Sequence, residues 1–144
     1  MKNKNLTIRE IEYDDYDKGY MELMYDFTNY KYETSRENFI KYININNNKI
    51  LVIYSQITNM IIGSGTIFKI EKIHNNPVGQ IEDIIINNEY RGYGLGKELI
   101  KNLVNIGLNE FKCYKIILNC LDKNIGFYEK CNFITTGIEM KYLI

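Results

Sequence analysis

The stretch Gln80-Ile-Glu-Asp-Ile-Ile-Ile-Asn87 decides the fold through its continuation: Arg91-Gly-Tyr-Gly-Leu-Gly96, and then leucines at 99 and 103. An apolar, β-branched run that ends in a glycine-rich turn and restarts with helical spacing reads as strand, loop and helix. Glycines let backbone come close to an anion, and the N–H groups at the start of a helix, at the positive end of its dipole, hold negative charge. The loop therefore reads as a phosphate cradle. It is not a Walker A loop, because Lys97 is followed by Glu98 and not by Ser or Thr. Nor is it a dinucleotide fingerprint, since Gly92, Gly94 and Gly96 come late in the chain and at the wrong spacing.

At 144 residues the chain is expected to form one domain, residues 1–144. Eighteen basic side chains balance eighteen acidic ones, so no net field gathers nucleic acid or anionic lipid, and any anion must be met locally. Met1-Lys-Asn-Lys-Asn5 is basic but is not followed by an apolar segment, and no run approaches the ~20 apolar residues that span a bilayer. Cys113, Cys120 and Cys131 are odd in number and lack Cys-x-x-Cys spacing, which argues against a disulfide framework or a zinc site. A cytoplasmic protein is expected.

Working outward, Leu6 to Ile11 alternates as a strand, and Tyr16, Tyr20, Leu23, Met24 and Phe27 share one face of a helix after Asp14 and Asp15. Thr34 and Glu37 suggest a capping box for a second helix carrying Phe39, Ile40 and Ile43. Residues 49–57 and 60–73 read as a hairpin around Thr58-Asn59, and Pro77 and Gly79 as a break before the strand at 80–87. A helix over 95–110, a strand over 114–120, a short helix over 124–130 and strands at about 132–138 and 139–144 complete the order β-α-α-β-β-β-α-β-α-β-β. This is an α/β pattern with a mixed sheet.

Arg91, Gly94 and Gly96 resemble the pyrophosphate loop of the GNAT superfamily of N-acetyltransferases. Cys113-Tyr-Lys-Ile-Ile-Leu-Asn-Cys120 and Asn124-Ile-Gly-Phe-Tyr-Glu-Lys-Cys-Asn-Phe133 are similar to its next strand and helix, most of all in the glucosamine-6-phosphate N-acetyltransferases. The resemblance implies the acyl-CoA N-acyltransferase fold, acetyl-CoA as acetyl donor, no metal, glucosamine 6-phosphate as acceptor and a homodimer. In that assembly strands 139–144 cross the interface, and Glu139 and Lys141 complete the neighbour's sugar site. It also implies that the cofactor is held by Arg91, Gly92, Tyr93, Gly94, Leu95, Gly96 and Lys97, by backbone at Ile84, Ile85 and Ile86, and by Asn124, Tyr128, Glu129 and Lys130.

Acyl transfer from a thioester to an amine needs a neutral amine, donors for the developing oxyanion and a hydrogen bond for the departing thiolate. By resemblance, backbone N–H groups at Ile84 to Ile86 serve the oxyanion, and Tyr128, whose phenol can donate, serves the thiolate. Glu82 and Asp83 are implied to hold the amine and hydroxyls and to help remove the ammonium proton. As neighbours on a strand they are expected to point to opposite faces. Asn119 stands where the family usually has an acid, and an amide cannot take a proton. Lys72, His74, Tyr114 and Lys115 resemble sugar and phosphate contacts, with Thr28 and Glu139 as hydroxyl partners. Cys120 and Cys131 are read as buried packing. Two rival readings stay open: acetylation of another amine, and a noncatalytic acyl-CoA sensor that has lost its base.

Overall fold

The structure is a computed structural model describing residues 5–29 and 33–144; Met1 to Lys4 of the basic amino-terminal stretch lie outside these. Its sheet runs β1 (Leu6–Glu10), β2 (Asn48–Ser55), β3 (Met60–Lys72), β4 (Asn75–Ile86) and β5 (Lys115–Leu118) in spatial order. The first three pairings are antiparallel and the β4–β5 pairing is parallel. The helices are α1 (Tyr20–Thr28), α2 (Arg36–Ile43), α3 (Leu95–Asn105) and α4 (Ile125–Glu129).

The strands alternate between two apolar layers, because both faces of the sheet are covered. Leu51, Ile53, Ile67 and Ile81 pack with Leu95, Leu99 and Leu103 of α3. Ile50, Val52, Ile61 and Ile85 pack on the other face with Tyr20, Leu23 and Phe39 of α1 and α2.

Several expectations are corrected. Tyr16 lies in a separate 3₁₀ turn, Tyr13–Asp17, because Gly19 at φ +81° interrupts the helical path before α1. The cap of α2 is Ser35, whose hydroxyl accepts from the Asn38 N–H at 3.2 Å, and not Thr34. Pro77 and Gly79 do not break the chain; both lie inside β4. The ladder shifts register between Ile70 and Lys72, next to Pro77, where a strand tolerates the missing donor, and the Pro77 carbonyl accepts from Tyr114 N at 3.0 Å. The helix expected over 95–110 is α-helical to Asn105 and then widens into a π turn, Ile106–Glu110.

Among the described residues no strand forms after Leu118, so the strands expected at 132–138 and 139–144 are absent. A strand needs a neighbour for its backbone groups, and among the described residues nothing pairs with that segment.

Candidate active site

The site begins where two strands part. The β4–β5 ladder runs only from Val78 opposite Lys115 to Ile81 opposite Leu118. Beyond it, residues 82–86 of β4 have no strand on that side among the described residues.

At the same point β4 carries a bulge. Thr66 of β3 faces Glu82 and Ser64 faces Ile85, so the single residue Gly65 is opposed by both Asp83 and Ile84. Asp83 takes φ +54°, in the left-handed region that a short polar side chain tolerates. The extra residue resets the alternation: Ile81, Ile84 and Ile86 all contact the α3 layer, while Ile85 contacts the α1–α2 layer. Glu82 and Asp83 are thereby left on the same side, and both line one cleft of about 210 Å³ with Gln80, Ile81, Asn119 and Glu139. The expectation that these two acids point to opposite faces is corrected; strict alternation fails at a bulge.

Burial pushes the Asp83 carboxyl above its ordinary value. Tyr42 of α2 is raised first by burial and then by the charges of Asp83 and Glu82. Tyr42 and Gln80 were not foreseen; one of 13 tyrosines on the polar side of a helix gives no signal.

The glycine loop separates by role. Gly92 at φ +82° and Gly94 at φ +79° take conformations that disfavour a side chain, and a Cβ at either would meet nothing within 4 Å. Open space over two left-handed glycines, with Gly94 capping the long amphipathic α3, is what a diphosphate requires. Gly96 differs: a Cβ there would lie 3.1 Å from Phe127 Cζ, so this glycine serves the close approach of α4 to α3. Leu95 is buried in the α3 layer, Tyr93 and Lys97 are exposed, and Arg91 Nε donates to the Ile86 carbonyl at 2.9 Å, tying the loop back to the end of β4.

Tyr128, on α4, is half-buried and stands edge-on to Phe127 (5.0 Å between centroids) and Phe133 (6.1 Å). Its phenol is pushed up by burial, then by the nearby Cys120 and Cys131 thiols, so it keeps its proton. Asn124 caps α4 at its start, Glu129 ends it and Lys130 comes next. Cys120 is exposed, against its expected burial, because it lies past the end of β5, while Cys131 is partly buried and Cys113 buried.

Not every expected contact is gathered. Lys115 opens β5 opposite Val78, with its ammonium 5.5 Å from the centroid of the adjacent Tyr114 ring. Lys72 and His74 sit at the tip of the β3–β4 hairpin, exposed. From Asn75, Lys72's partner, to Glu82 the strand runs about 23 Å at ~3.3 Å per residue, too far for a direct contact with this chain's own cleft. Thr28 ends α1 and its hydroxyl donates to the Met24 carbonyl at 3.0 Å. Glu139 lines the cleft, whereas Lys141 is exposed in the terminal segment. Among the described residues no three His, Cys, Asp or Glu side chains gather as metal ligands would.

Comparison with known proteins shows the family and the fold. The acetyltransferase (GNAT) family model matches residues 6–133. A glucosamine 6-phosphate N-acetyltransferase of Dictyostelium discoideum is 38% identical over 142 residues, covering 94% of this chain and 88% of that one. One from Candida albicans is 35% identical, covering 97% of each. The crystal structure of glucosamine-6-phosphate N-acetyltransferase from Arabidopsis thaliana superimposes with a TM-score of 0.88 at 28% identity, covering 97% of this chain and 99% of that one. With its mixed sheet, parted strands and glycine cradle, the chain belongs to the acetyltransferase (GNAT) family.

Proposed function

We propose that the chain is a glucosamine-6-phosphate N-acetyltransferase. It moves acetyl from acetyl-CoA directly to the 2-amino group of D-glucosamine 6-phosphate, giving N-acetylglucosamine 6-phosphate and CoA for UDP-N-acetylglucosamine synthesis. The observation that carries this reading is the bulge in β4, which puts Glu82 and Asp83 in one cleft beside the parted strands. Relatives that share most of this chain's length and carry that name support it.

Bound at the loop, acetyl-CoA supplies a thioester-activated acetyl group. Backbone N–H groups from Arg91 to Lys97 hold its diphosphate at the start of α3, with Asn124, Glu129 and Lys130 alongside. Glu82 and Asp83 draw in the sugar ammonium by charge, and a carboxyl whose proton affinity is raised, as at Asp83, accepts the ammonium proton more readily than an ordinary one. Asn119 takes no proton and orients hydroxyls. Backbone N–H groups at Ile84 to Ile86, on the stretch of β4 that β5 leaves uncovered, are placed to polarise a carbonyl. Tyr128 Oη holds a proton for the departing sulfur.

Lys115, with Tyr114 beside it, takes the sugar phosphate. A homodimer brings Lys72, His74 and Lys141 to a neighbour's site. It also covers the terminal segment, where Ile138 is 92% and Met140 91% exposed. The three free cysteines support a cytoplasmic setting. Among the described residues no helix is long and apolar enough to cross a membrane.

The test is CoA release, read by a thiol reagent, with glucosamine 6-phosphate, unphosphorylated glucosamine and a panel of amino acids and polyamines. Turnover is expected with the sugar phosphate and not with its unphosphorylated form. Preference for another amine, or acetyl-CoA binding without release with any amine, overturns the reading.

A further inference from the structure

We infer that Gly65, which touches no substrate, is a positioning residue: its missing side chain lets Ile84 cross over β3 and so holds the two acids of β4 in one cleft. The inference rests on the reading of Glu82 and Asp83 as the amine-facing pair.

Glycine inside a covered strand weakens it, and usually marks a bulge or a close approach. Here it marks both. Gly65 is buried and is opposed by two residues of β4, Asp83 and Ile84. A Cβ built on it would lie 2.5 Å from Ile84 Cδ1, 2.9 Å from Leu103 Cδ1 and 3.3 Å from Leu99 Cδ2. Real Cβ atoms do not come so close, so something must move. Leu99 and Leu103 are 0% exposed and locked in the α3 layer. Ile84 is only partly buried, and therefore gives first. Ile84 comes directly after Asp83, whose left-handed backbone is the pivot of the bulge. Displacing Ile84 turns that pivot and swings the Asp83 carboxyl away from Glu82, from Tyr42 of α2 and Tyr20 of α1, whose phenols sense its charge, and from Glu139 across the cleft. A misplacement of ~1 Å in a reacting group is enough to lower turnover about a hundredfold.

The experiment compares wild type, Gly65→Ala, Ile84→Val and the Gly65→Ala/Ile84→Val double variant, since valine lacks the Cδ1 that the new methyl would strike. Three quantities are read: kcat with glucosamine 6-phosphate, the dissociation constant of acetyl-CoA, and the titration of Asp83 by NMR of its carboxyl carbon. Gly65→Ala is expected to lower kcat about tenfold or more with acetyl-CoA binding within about twofold, and to bring the Asp83 titration down toward the ordinary carboxylate range. The double variant is expected to recover the kcat of Ile84→Val and the wild-type titration.

A folded Gly65→Ala protein with unchanged kcat overturns the inference, and so does one that is slow while Asp83 titrates as in wild type. If Gly65→Ala fails to fold, the double variant decides. Folding with the wild-type titration supports the role of Ile84, and failure to fold assigns the clash to the leucines and overturns it. A wild type that ignores glucosamine 6-phosphate defeats the proposed function instead, and the titrations still judge Gly65.

Discussion

Asp83 carries two roles in one backbone position. Its left-handed φ makes the bulge, and its carboxyl faces the cleft with a proton affinity raised by burial. A carboxyl raised in the folded state contributes stability that is fully present below its unfolded value, near 3.8, and is lost as pH rises through the folded value. Asp83→Asn keeps a residue that tolerates the left-handed region and removes the charge. Relative to wild type, its melting temperature is expected to be higher at pH 7 than at pH 3.5, measured by thermal scans at both, while kcat falls. Tyr128 gives a second prediction at this scale. Tyr128→Phe keeps the ring packed between Phe127 and Phe133 and removes only Oη, so kcat is expected to drop about a hundredfold with acetyl-CoA binding within about twofold, by calorimetry and steady-state rates. The sequence displayed the acids, the tyrosine and the loop because each is a chemical type in a local pattern. Asp83's dihedral, the company of Tyr42 and the second role of Gly96 were not readable, since each depends on a strand or helix distant in the chain.

Elements were legible where a pattern was local and ambiguous where two neighbours competed. Among the described residues, all five strands of the sheet and all four α-helices were anticipated, because apolar periodicity survives whatever packs on it. Their ends were less so: Ser35 displaced Thr34 as a cap, and Pro77 sat within β4 because a register shift beside it accommodates its missing donor. The connection from β1 to α1 shows what the pattern conceals. Asp15 is 0% exposed, accepts two hydrogen bonds from Arg9 at 2.7 and 2.8 Å and one from Glu12 N at 2.8 Å, and lies near Lys18. Burial alone would raise its carboxyl, but the Arg9 and Glu12 hydrogen bonds and the Arg9 and Lys18 charges bring it below the ordinary value. Asp15→Asn removes the buried charge that Arg9 holds most closely, leaving it only Glu12 at 3.8 Å, and is expected to destabilise the fold by about 3 kcal/mol at pH 7 in urea denaturation. Because the folded value is lowered, that stability is present above the unfolded value and lost as pH falls through the folded one. The gap between variant and wild type is therefore expected to close in strong acid.

For the whole molecule, the terminal segment is the telling part. Ile134, Ile138, Met140, Tyr142, Leu143 and Ile144 are nearly all on the surface of the single chain, a concentration of apolar area that isolated soluble chains rarely leave uncovered. The sequence pattern called for strands there, and the pattern is real; what the lone chain lacks is a place to lay them. The proposed homodimer predicts that a chain lacking residues 134–144 sediments as a monomer where the full chain does not, and that its kcat is lower because Glu139 leaves the cleft. A wild-type chain that sediments as an active monomer would reject that assembly.

The close approach of Gly96 to Phe127 joins the α3 helix, which starts at the proposed diphosphate cradle, to the α4 helix, which carries the proposed phenol donor Tyr128. The two behave as the jaws of a caliper clamped at one opening. A donor is thus gauged by its span: a thioester whose tether is a few atoms too short or too long would seat its diphosphate and miss the hydroxyl, whatever the acyl group it carries.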